Sequence, residues 1–173
     1  MKAFAFIGLI GLRVYGFRSG YAFGFSGGFG IRSLGCRICQ VIMGGFQFDS
    51  NMLPDKIAKE RGEPRLLGVD NPIVVPVNKN VEIITTGGDV IHSWAVPAFG
   101  VKMDAIPGRL NHTWFKATKL GTYYGQCSEL CGANHAFMPI EVKVVTEAEY
   151  RAWLLQAKRK YASSGQLRLA SND

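Results

Sequence analysis

Residues 73–86 read Ile-Val-Val-Pro-Val-Asn-Lys-Asn-Val-Glu-Ile-Ile-Thr-Thr, and this stretch contains the pattern that decides the fold. Two short runs of mainly β-branched residues, 73–77 and 81–86, flank the turn signal Asn78-Lys79-Asn80. In the second run, alternate residues from 81 to 85 suit a buried face and the residues between them suit a partly wet one. The stretch therefore predicts two strands of a sheet that buries one side.

Similar runs continue on both sides of this stretch. They are short, rich in Val, Ile, Thr and Tyr, and fall at residues 65–69, 90–96, 113–118, 122–126 and 140–145. Gly, Asn, Asp and Pro residues mark turns at 70–72, 87–89 and 120–121. Seven short strands within about 80 residues are typical of a β-sandwich or barrel. We therefore predict an all-β fold.

A single helix is predicted after the last strand. Thr146 and Glu149 have the spacing of a capping box. Apolar residues then recur at helical spacing, and three cations close the predicted helix at 158–160, where they suit the helix dipole. We expect this C-terminal helix to pack one apolar stripe on its own sheet or on a neighbouring chain.

The net charge is distributed unevenly. The chain has 173 residues and a net charge of +7, but residues 1–45 contain five basic residues and no acidic one. The remaining 15 basic and 13 acidic residues leave only +2 on the body. The body also lacks a basic helix or an aromatic-basic array, so the composition gives no support to nucleic-acid binding.

The chain divides into four predicted segments: an N-terminal segment at 1–45, a linker at 46–63, the β domain at 64–145, and a helix with a tail at 146–173. The first segment holds 11 of the 21 glycines and is rich in Arg, Ser and aromatic residues, which favours a mitochondrial presequence. A secretory signal and a retained extension that docks on a partner are the alternatives. Cys36 and Cys39 lie here, and we interpret them as incidental thiols because a lone C-x-x-C is a weak metal or redox signal.

A loop between the last two predicted strands carries the candidate site. Residues 125–139 read Gly-Gln-Cys-Ser-Glu-Leu-Cys-Gly-Ala-Asn-His-Ala-Phe-Met-Pro, with Cys127, Cys131, His135 and Met138 as potential ligands. Thiolates select copper, zinc or iron–sulfur clusters, whereas a thioether is typical of electron-transfer copper. His92, on a predicted strand, can supply a second imidazole.

Two thiolates exceed the need of one copper ion, so we predict that they bridge two. Each copper would then be completed by one histidine, with Met138 and a backbone carbonyl as weak ligands. The alternative is a tetrahedral zinc site formed by Cys127, Cys131, His135 and His92. The third histidine, His112, is interpreted as a surface residue.

These residues resemble subunit II of cytochrome c oxidase. The resemblance runs from about residue 48 to about residue 145 and is carried by residues 48–52 (FDSNM), 65–67 (RLL), 69–71 (VDN), 92–97 (HSWAVP), 104–111 (DAIPGRLN) and the whole loop. It implies a cupredoxin-like Greek-key sandwich that faces the mitochondrial intermembrane space at the inner membrane. It also implies electron transfer from cytochrome c to haem a in subunit I.

The resemblance further implies roles for individual residues. The ligands of a dinuclear copper A centre would be His92, Cys127, Cys131, His135 and Met138, with the backbone carbonyl of Glu129. The carboxylate of Glu129 would reach a magnesium ion shared with subunit I, as oxygen-rich magnesium sites allow. Asp70 and Asp89 match acidic positions of the family's cytochrome c docking surface. Either carboxylate could instead be an ordinary turn residue.

The chain also departs from the family pattern. No apolar run of 18 residues is present, whereas family members carry two N-terminal transmembrane helices. Trp94, Trp114 and Trp153 all lie outside the segment where the family has the tryptophan that admits electrons. We therefore expect the C-terminal half of a split subunit II, whose separate partner chain carries the membrane half. Alternatives are the copper A domain of a nitrous-oxide-reductase-like enzyme and a non-enzymatic zinc- or copper-binding sandwich.

Overall fold

The structure is a computed structural model that describes residues 3–9, 39–43 and 46–169. The strands in this part of the chain are β1 (Ala3–Leu9), β2 (Cys39–Met43), β3 (Phe46–Ser50), β4 (Ile73–Pro76), β5 (Asn80–Gly87), β6 (His92–Val96), β7 (Val101–Ala105), β8 (Asn111–Lys116), β9 (Gly121–Gln126) and β10 (Pro139–Val145). The helices are α1 (Asp55–Glu60) and α2 (Glu147–Leu169), with 3-10 turns at Pro97–Phe99 and His135–Phe137. The predicted all-β fold with a C-terminal helix is confirmed.

The strands form three sheets around one core. The largest sheet has the order β3-β2-β1-β5-β8, the second has the order β4-β10-β9, and β6 pairs with β7. Buried side chains from all three sheets belong to a single apolar cluster, which includes Ile83 on β5, Phe115 on β8, Val96 on β6 and Val142 on β10. Burial of this cluster supplies the main driving force for folding.

The alternation predicted for β5 is present. Val81, Ile83 and Thr85 are 0%, 0% and 1% exposed, and the residues between them are partly exposed. The period of two follows from the pleat of a strand, which sends neighbouring side chains to opposite faces. On the outer face, register pairs Glu82 with Trp114 of β8.

One predicted strand does not form. Residues 65–67 make a turn, and Val69 makes only an isolated bridge with Met52. The carbonyl oxygen of Pro64 accepts hydrogen bonds from the amides of Leu67 and Gly68, both at 3.2 Å, so these amides are not available to a ladder. Leu66 has φ 64°, which is outside the extended region.

Other elements lie where no strand or helix was predicted. Residues 46–63, assigned to a linker from the sequence, contain β3 and α1, and β3 packs against α2. β7 also lacks a prediction, since its sequence Val-Lys-Met-Asp-Ala has only a weak alternation. The other six predicted strands correspond to β4, β5, β6, β8, β9 and β10.

Most of the N-terminal segment lies outside the described residues, including Cys36. Of residues 1–45, the structure describes β1 and β2, which pair in parallel, while β1 also pairs antiparallel with β5. The interpretations of this segment as a presequence or a retained extension, and of its two cysteines as incidental, stay predictions.

The C-terminal helix begins as predicted. The Thr146 amide donates to Glu149 Oε2 at 2.8 Å, and the Glu149 amide donates to Thr146 Oγ1 at 3.3 Å, which is a reciprocal capping box. The helix packs on its own domain, with the rings of Trp153 and Phe46 5.9 Å apart at their centroids. Neither helix in the described part of the chain is both long and apolar enough to cross a membrane.

Candidate metal centre

The candidate loop closes the end of a β-hairpin. Strands β9 and β10 pair from Gln126 opposite Pro139, so residues 127–138 form their connection. The Cys127 amide donates to the Met138 carbonyl at 3.0 Å, which joins the two ends of the loop. The Ser128 amide donates to the Ser93 carbonyl at 3.0 Å and ties the loop to β6. The loop is therefore held by backbone hydrogen bonds at both ends and at its side.

Three sulfur atoms meet inside this loop. Cys127 Sγ lies 3.9 Å from Cys131 Sγ, and Cys131 Sγ lies 3.3 Å from Met138 Sδ. All three side chains are buried, and Cys127 and Cys131 are not joined by a disulfide. A disulfide would require about 2.05 Å between the sulfurs. The thiols thus face each other at a spacing that suits a shared ligand rather than a covalent bond.

Two histidines approach the sulfurs from different elements. His135, in the 3-10 turn, places Nδ1 3.5 Å from Cys131 Sγ. His92, at the start of β6, belongs with Cys127 and Cys131 to a group whose ligand atoms all lie within 4.8 Å of one another. All five side chains predicted as ligands therefore come together, and we refer to His92, Cys127, Cys131, His135 and Met138 as the sulfur–histidine cluster. Their assignment as metal ligands stays a prediction.

His92 has one ring nitrogen with a hydrogen-bond partner and one without. The side chain is 1% exposed, and Nε2 lies 2.8 Å from Asp89 Oδ1. Nδ1 is buried and has no hydrogen-bond partner among the described residues. A buried polar atom without a partner costs about 1–3 kcal/mol. A metal ion at Nδ1 would remove this cost, so the residues present fit a metal.

The electrostatics around Asp89 follow from that contact. Burial raises the pKa of the Asp89 carboxyl, but the hydrogen bond with His92 and the backbone amide of Val90 outweigh burial, and the net pKa is lowered. This contact was not predicted from the sequence, in which its one signal is the separation of three residues between Asp89 and His92. Docking of cytochrome c at Asp89 stays a prediction, as it does at Asp70, whose Oδ1 accepts the Asn51 amide at 2.7 Å.

Glu129 lies between the two cysteines in the loop. Its carbonyl oxygen is 3.3 Å from Cys127 Sγ, which places the carbonyl at the edge of the sulfur–histidine cluster. Its side chain is exposed, so a second chain can reach the carboxylate. Both predicted roles, as a backbone ligand of copper and as a side-chain ligand of magnesium, stay predictions.

His112 lies at the surface as expected, with Nδ1 3.0 Å from Glu82 Oε1.

A second polar group on the same hairpin was not predicted. Glu141, only 1% exposed, accepts the Val69 amide at 2.9 Å and pairs with Lys143 Nζ at 3.2 Å. Lys143 also lies 3.6 Å from Glu63, which accepts the hydroxyl of Tyr124. We call Glu63, Tyr124, Glu141 and Lys143 the carboxylate cluster. The sequence signal is a glutamate inside the apolar run Ile140 to Val142, where a charge requires partners.

Gly125 fixes how closely two of the sheets approach. A Cβ atom built on this residue would lie 1.9 Å from the carbonyl oxygen of Ala95 on β6. A side chain at Gly125 is therefore excluded, because the clashing atoms belong to the Ala95 backbone and cannot rotate away as a side chain could. The absence of a side chain lets β9, which leads into Cys127, pass directly against the strand that carries His92.

Comparisons with known proteins agree with this geometry. Residues 40–145 match the family described as cytochrome c oxidase subunit II, periplasmic domain. A probable cytochrome c oxidase subunit 2 of Rickettsia prowazekii is 56% identical over 108 residues, or 62% of this chain and 34% of the relative. Subunit 2 of Metridium senile is 55% identical over 109 residues, or 63% of this chain and 44% of the relative.

A solved structure gives the same result. The periplasmic domain of subunit II of cytochrome oxidase from Bradyrhizobium japonicum superposes with a TM-score of 0.63 at 59% identity, covering 68% of this chain and 81% of that one. The present chain spans less than half the length of the two curated relatives. The resemblance is thus confirmed over the β domain, and the chain belongs to the family of the periplasmic domain of cytochrome c oxidase subunit II.

Proposed function

We propose that this chain is the electron-transfer module of a mitochondrial cytochrome c oxidase. In this proposal it accepts electrons from cytochrome c at a dinuclear copper A centre and passes them to haem a in subunit I. The observation that carries the proposal is the sulfur–histidine cluster, in which two cysteine thiols lie 3.9 Å apart and the buried His92 Nδ1 has no hydrogen-bond partner among the described residues. Family membership supports it independently.

The donor set favours two copper ions over one zinc ion. A zinc site would use both cysteines and both histidines and leave Met138 without a role, although Met138 is 2% exposed and its sulfur lies 3.3 Å from Cys131 Sγ. Thioethers suit copper in electron-transfer sites. Cys127 and Cys131 would hold both ions, and one histidine would remain for each ion.

The protein's contribution is a ligand set that need not move. The bound copper pair supplies a one-electron couple whose charge is shared by two ions. Cys127 and Cys131 are only 8% and 5% exposed, which limits competition from water, and the loop is fixed by the hydrogen bonds of the Cys127 and Ser128 amides. A site built on such supported elements changes little between oxidation states, which suits rapid electron transfer.

The exposed surface of the loop suits contact with a partner protein. Leu130 and Phe137 are 79% and 41% exposed, and both belong to the loop that encloses the thiols. Exposed apolar side chains grouped at one site are typical of protein interfaces. The exposed carboxylate of Glu129, which directly precedes Leu130, can add an oxygen ligand to a magnesium ion shared with subunit I.

The proposal also includes the location and remaining partners predicted from the sequence. The module would lie on the intermembrane-space side of the mitochondrial inner membrane and associate with the membrane through subunit I and a separate chain that carries the membrane half of subunit II. Affinity purification of the tagged chain from mitochondria should recover both. Recovery without subunit I would contradict this assembly.

The copper assignment is tested on the full chain after expression and loading with copper or zinc. We expect two copper ions per chain, a purple colour from thiolate-to-copper transitions, and a paramagnetic signal with hyperfine splitting from both ions. The zinc-loaded chain is the colourless control. A chain that binds a single zinc ion and gives no two-copper spectrum would support the zinc-stabilised sandwich instead.

A further inference from the structure

Asp89 makes a specific contact with the buried histidine of the cluster. Its Oδ1 lies 2.8 Å from His92 Nε2, and the two residues are three apart in the chain, with Asp89 in the bend before β6. The histidine side chain is 1% exposed, while the aspartate side chain is 30% exposed. The carboxylate thus lies between a buried imidazole and the solvent.

This contact selects one tautomer of the imidazole. An ionised carboxylate can only accept a hydrogen bond, so Nε2 carries the proton and donates it. The proton is then absent from Nδ1 in the neutral ring. Nδ1 is the buried nitrogen without a hydrogen-bond partner in the described part of the chain, and a metal ion requires such a free lone pair.

We infer that Asp89 is a positioning residue for the metal centre. It holds the His92 ring with Nε2 protonated and the buried Nδ1 left to bind a metal, and its charge makes the imidazole a stronger donor. This inference rests on the proposed copper function. It differs from the docking role predicted for Asp89, because a positioning role acts on the bound metal even when cytochrome c is absent.

Two measurable consequences follow. Partners of metal-bound histidines contribute about 10- to 100-fold to metal affinity. A stronger donor also favours the oxidised form more than the reduced form, so removal of the charge should raise the reduction potential. If the ratio of the two affinities changes tenfold, the potential changes by about 59 mV for one electron.

The test compares the copper-loaded full chain with its Asp89→Asn variant. Asparagine keeps the size and one acceptor oxygen but removes the charge. We expect the two-copper spectrum to persist, copper loss to a chelator to become about tenfold easier, and the potential to rise. Glu82→Gln is the matched control, since it removes the carboxylate from the exposed pair with His112, and it should change neither quantity.

Several outcomes decide the inference. If Asp89→Asn matches the unmodified chain in copper retention and potential, and only slows reduction by cytochrome c at low salt, Asp89 docks and does not position. If Asp89→Asn lowers the melting temperature of the metal-free chain, Asp89→Glu decides, because a positioning role requires the longer carboxylate to restore the potential. Failure of the unmodified chain to form a two-copper spectrum would reject the proposed function itself.

Discussion

The hairpin of β9 and β10 carries two polar clusters of opposite kinds. In the carboxylate cluster, Glu141 and Glu63 share Lys143 at 3.2 and 3.6 Å, and Tyr124 donates to Glu63. In the sulfur–histidine cluster, Cys131 Sγ lies 3.9 Å from Cys127 Sγ and 3.3 Å from Met138 Sδ. His92 Nδ1 has no hydrogen-bond partner among the described residues. The carboxylate cluster contains its own cation, Lys143, although Glu141 Oε1 accepts no hydrogen bond from the described residues. The sulfur–histidine cluster contains no lysine or arginine and offers sulfur and imidazole lone pairs that an external cation can use.

Because of this difference, we expect the carboxylate cluster to affect the stability of the fold and the sulfur–histidine cluster to affect metal binding. A buried charge without its partner destabilises the folded state, so loss of a member of the carboxylate cluster should act on unfolding. Loss of a thiol or a thioether leaves no unpaired charge behind, so it should act on the metal. A substitution in one cluster should therefore leave the property that depends on the other cluster unchanged.

The largest effect is expected from Cys131→Ser. Cys131 Sγ contacts Cys127, Met138 and His135, so its removal leaves a single thiolate that cannot form a two-thiolate bridge. We expect complete loss of the two-copper spectrum with little change in the urea midpoint of the metal-free chain. Ser128→Ala in the same loop is the control and should keep the spectrum. A serine variant that retained the two-copper spectrum would refute the ligand assignment.

Glu141→Leu should have the next largest effect, and on stability alone. The substitution leaves the buried Val69 amide without an acceptor and Lys143 without its nearer carboxylate. We expect the free energy of unfolding to fall by about 2 kcal/mol. Urea denaturation of the metal-free chain measures this change. Glu141→Gln keeps an acceptor for Val69 and should cost less, and loss of the copper spectrum in either variant would show that the clusters are not independent.

Tyr124→Phe should destabilise the fold by about 1 kcal/mol at neutral pH, because it removes the hydrogen bond to Glu63. Burial and that hydrogen bond raise the pKa of the Tyr124 hydroxyl. The stabilisation by the neutral hydroxyl is therefore complete below the unfolded pKa of about 10 and is lost as the pH rises above it. Urea midpoints measured on both sides of this pH should converge at high pH. A constant difference would mean that Tyr124 is not the titrating group.

Met138→Leu should have the smallest effect on the fold. The two side chains have similar volumes, and Met138 is 2% exposed, so the core stays filled. We expect both copper ions to remain and the reduction potential to rise, because a weak donor to the oxidised site is lost. Redox titration monitored in the visible region measures the change. Met103→Leu on β7 serves as the control, and equal potentials in the two variants would exclude Met138 as a ligand.

The same contrast explains how far the sequence could predict the molecule. The loop ligands could be found because Cys127, Cys131, His135 and Met138 lie close in the chain, and the β domain could be found because strands such as β5 alternate regularly. The strand predicted at residues 65–69 rested on weak evidence, because only Val69 strongly favours a strand. The Pro64 carbonyl accepts hydrogen bonds from the Leu67 and Gly68 amides, which a strand would need. Side-chain composition does not reveal that a nearby carbonyl competes with a neighbouring strand for the same backbone amides.

Contacts between distant segments were not predictable in the same way. Glu141 receives its partners from residue 69 and, through Lys143, from residue 63, and nothing local to Glu141 identifies them. The contact of Asp89 with His92 is local, but whether a carboxylate turns inward or toward solvent depends on the bend before β6. His92 could be proposed as a ligand only because the loop lacked a second imidazole.

A substitution at Gly125 would affect residues beyond its own position, including the predicted metal ligands. Because a Cβ atom at this position would lie 1.9 Å from the Ala95 carbonyl, any larger residue must push β9 and β6 apart. Those strands bring Cys127 and His92 to the same point, so the push would widen the gap between ligands without altering any ligand. A substitution at Gly125 would then alter the electronic properties of the metal site only by displacing the strands that carry its ligands.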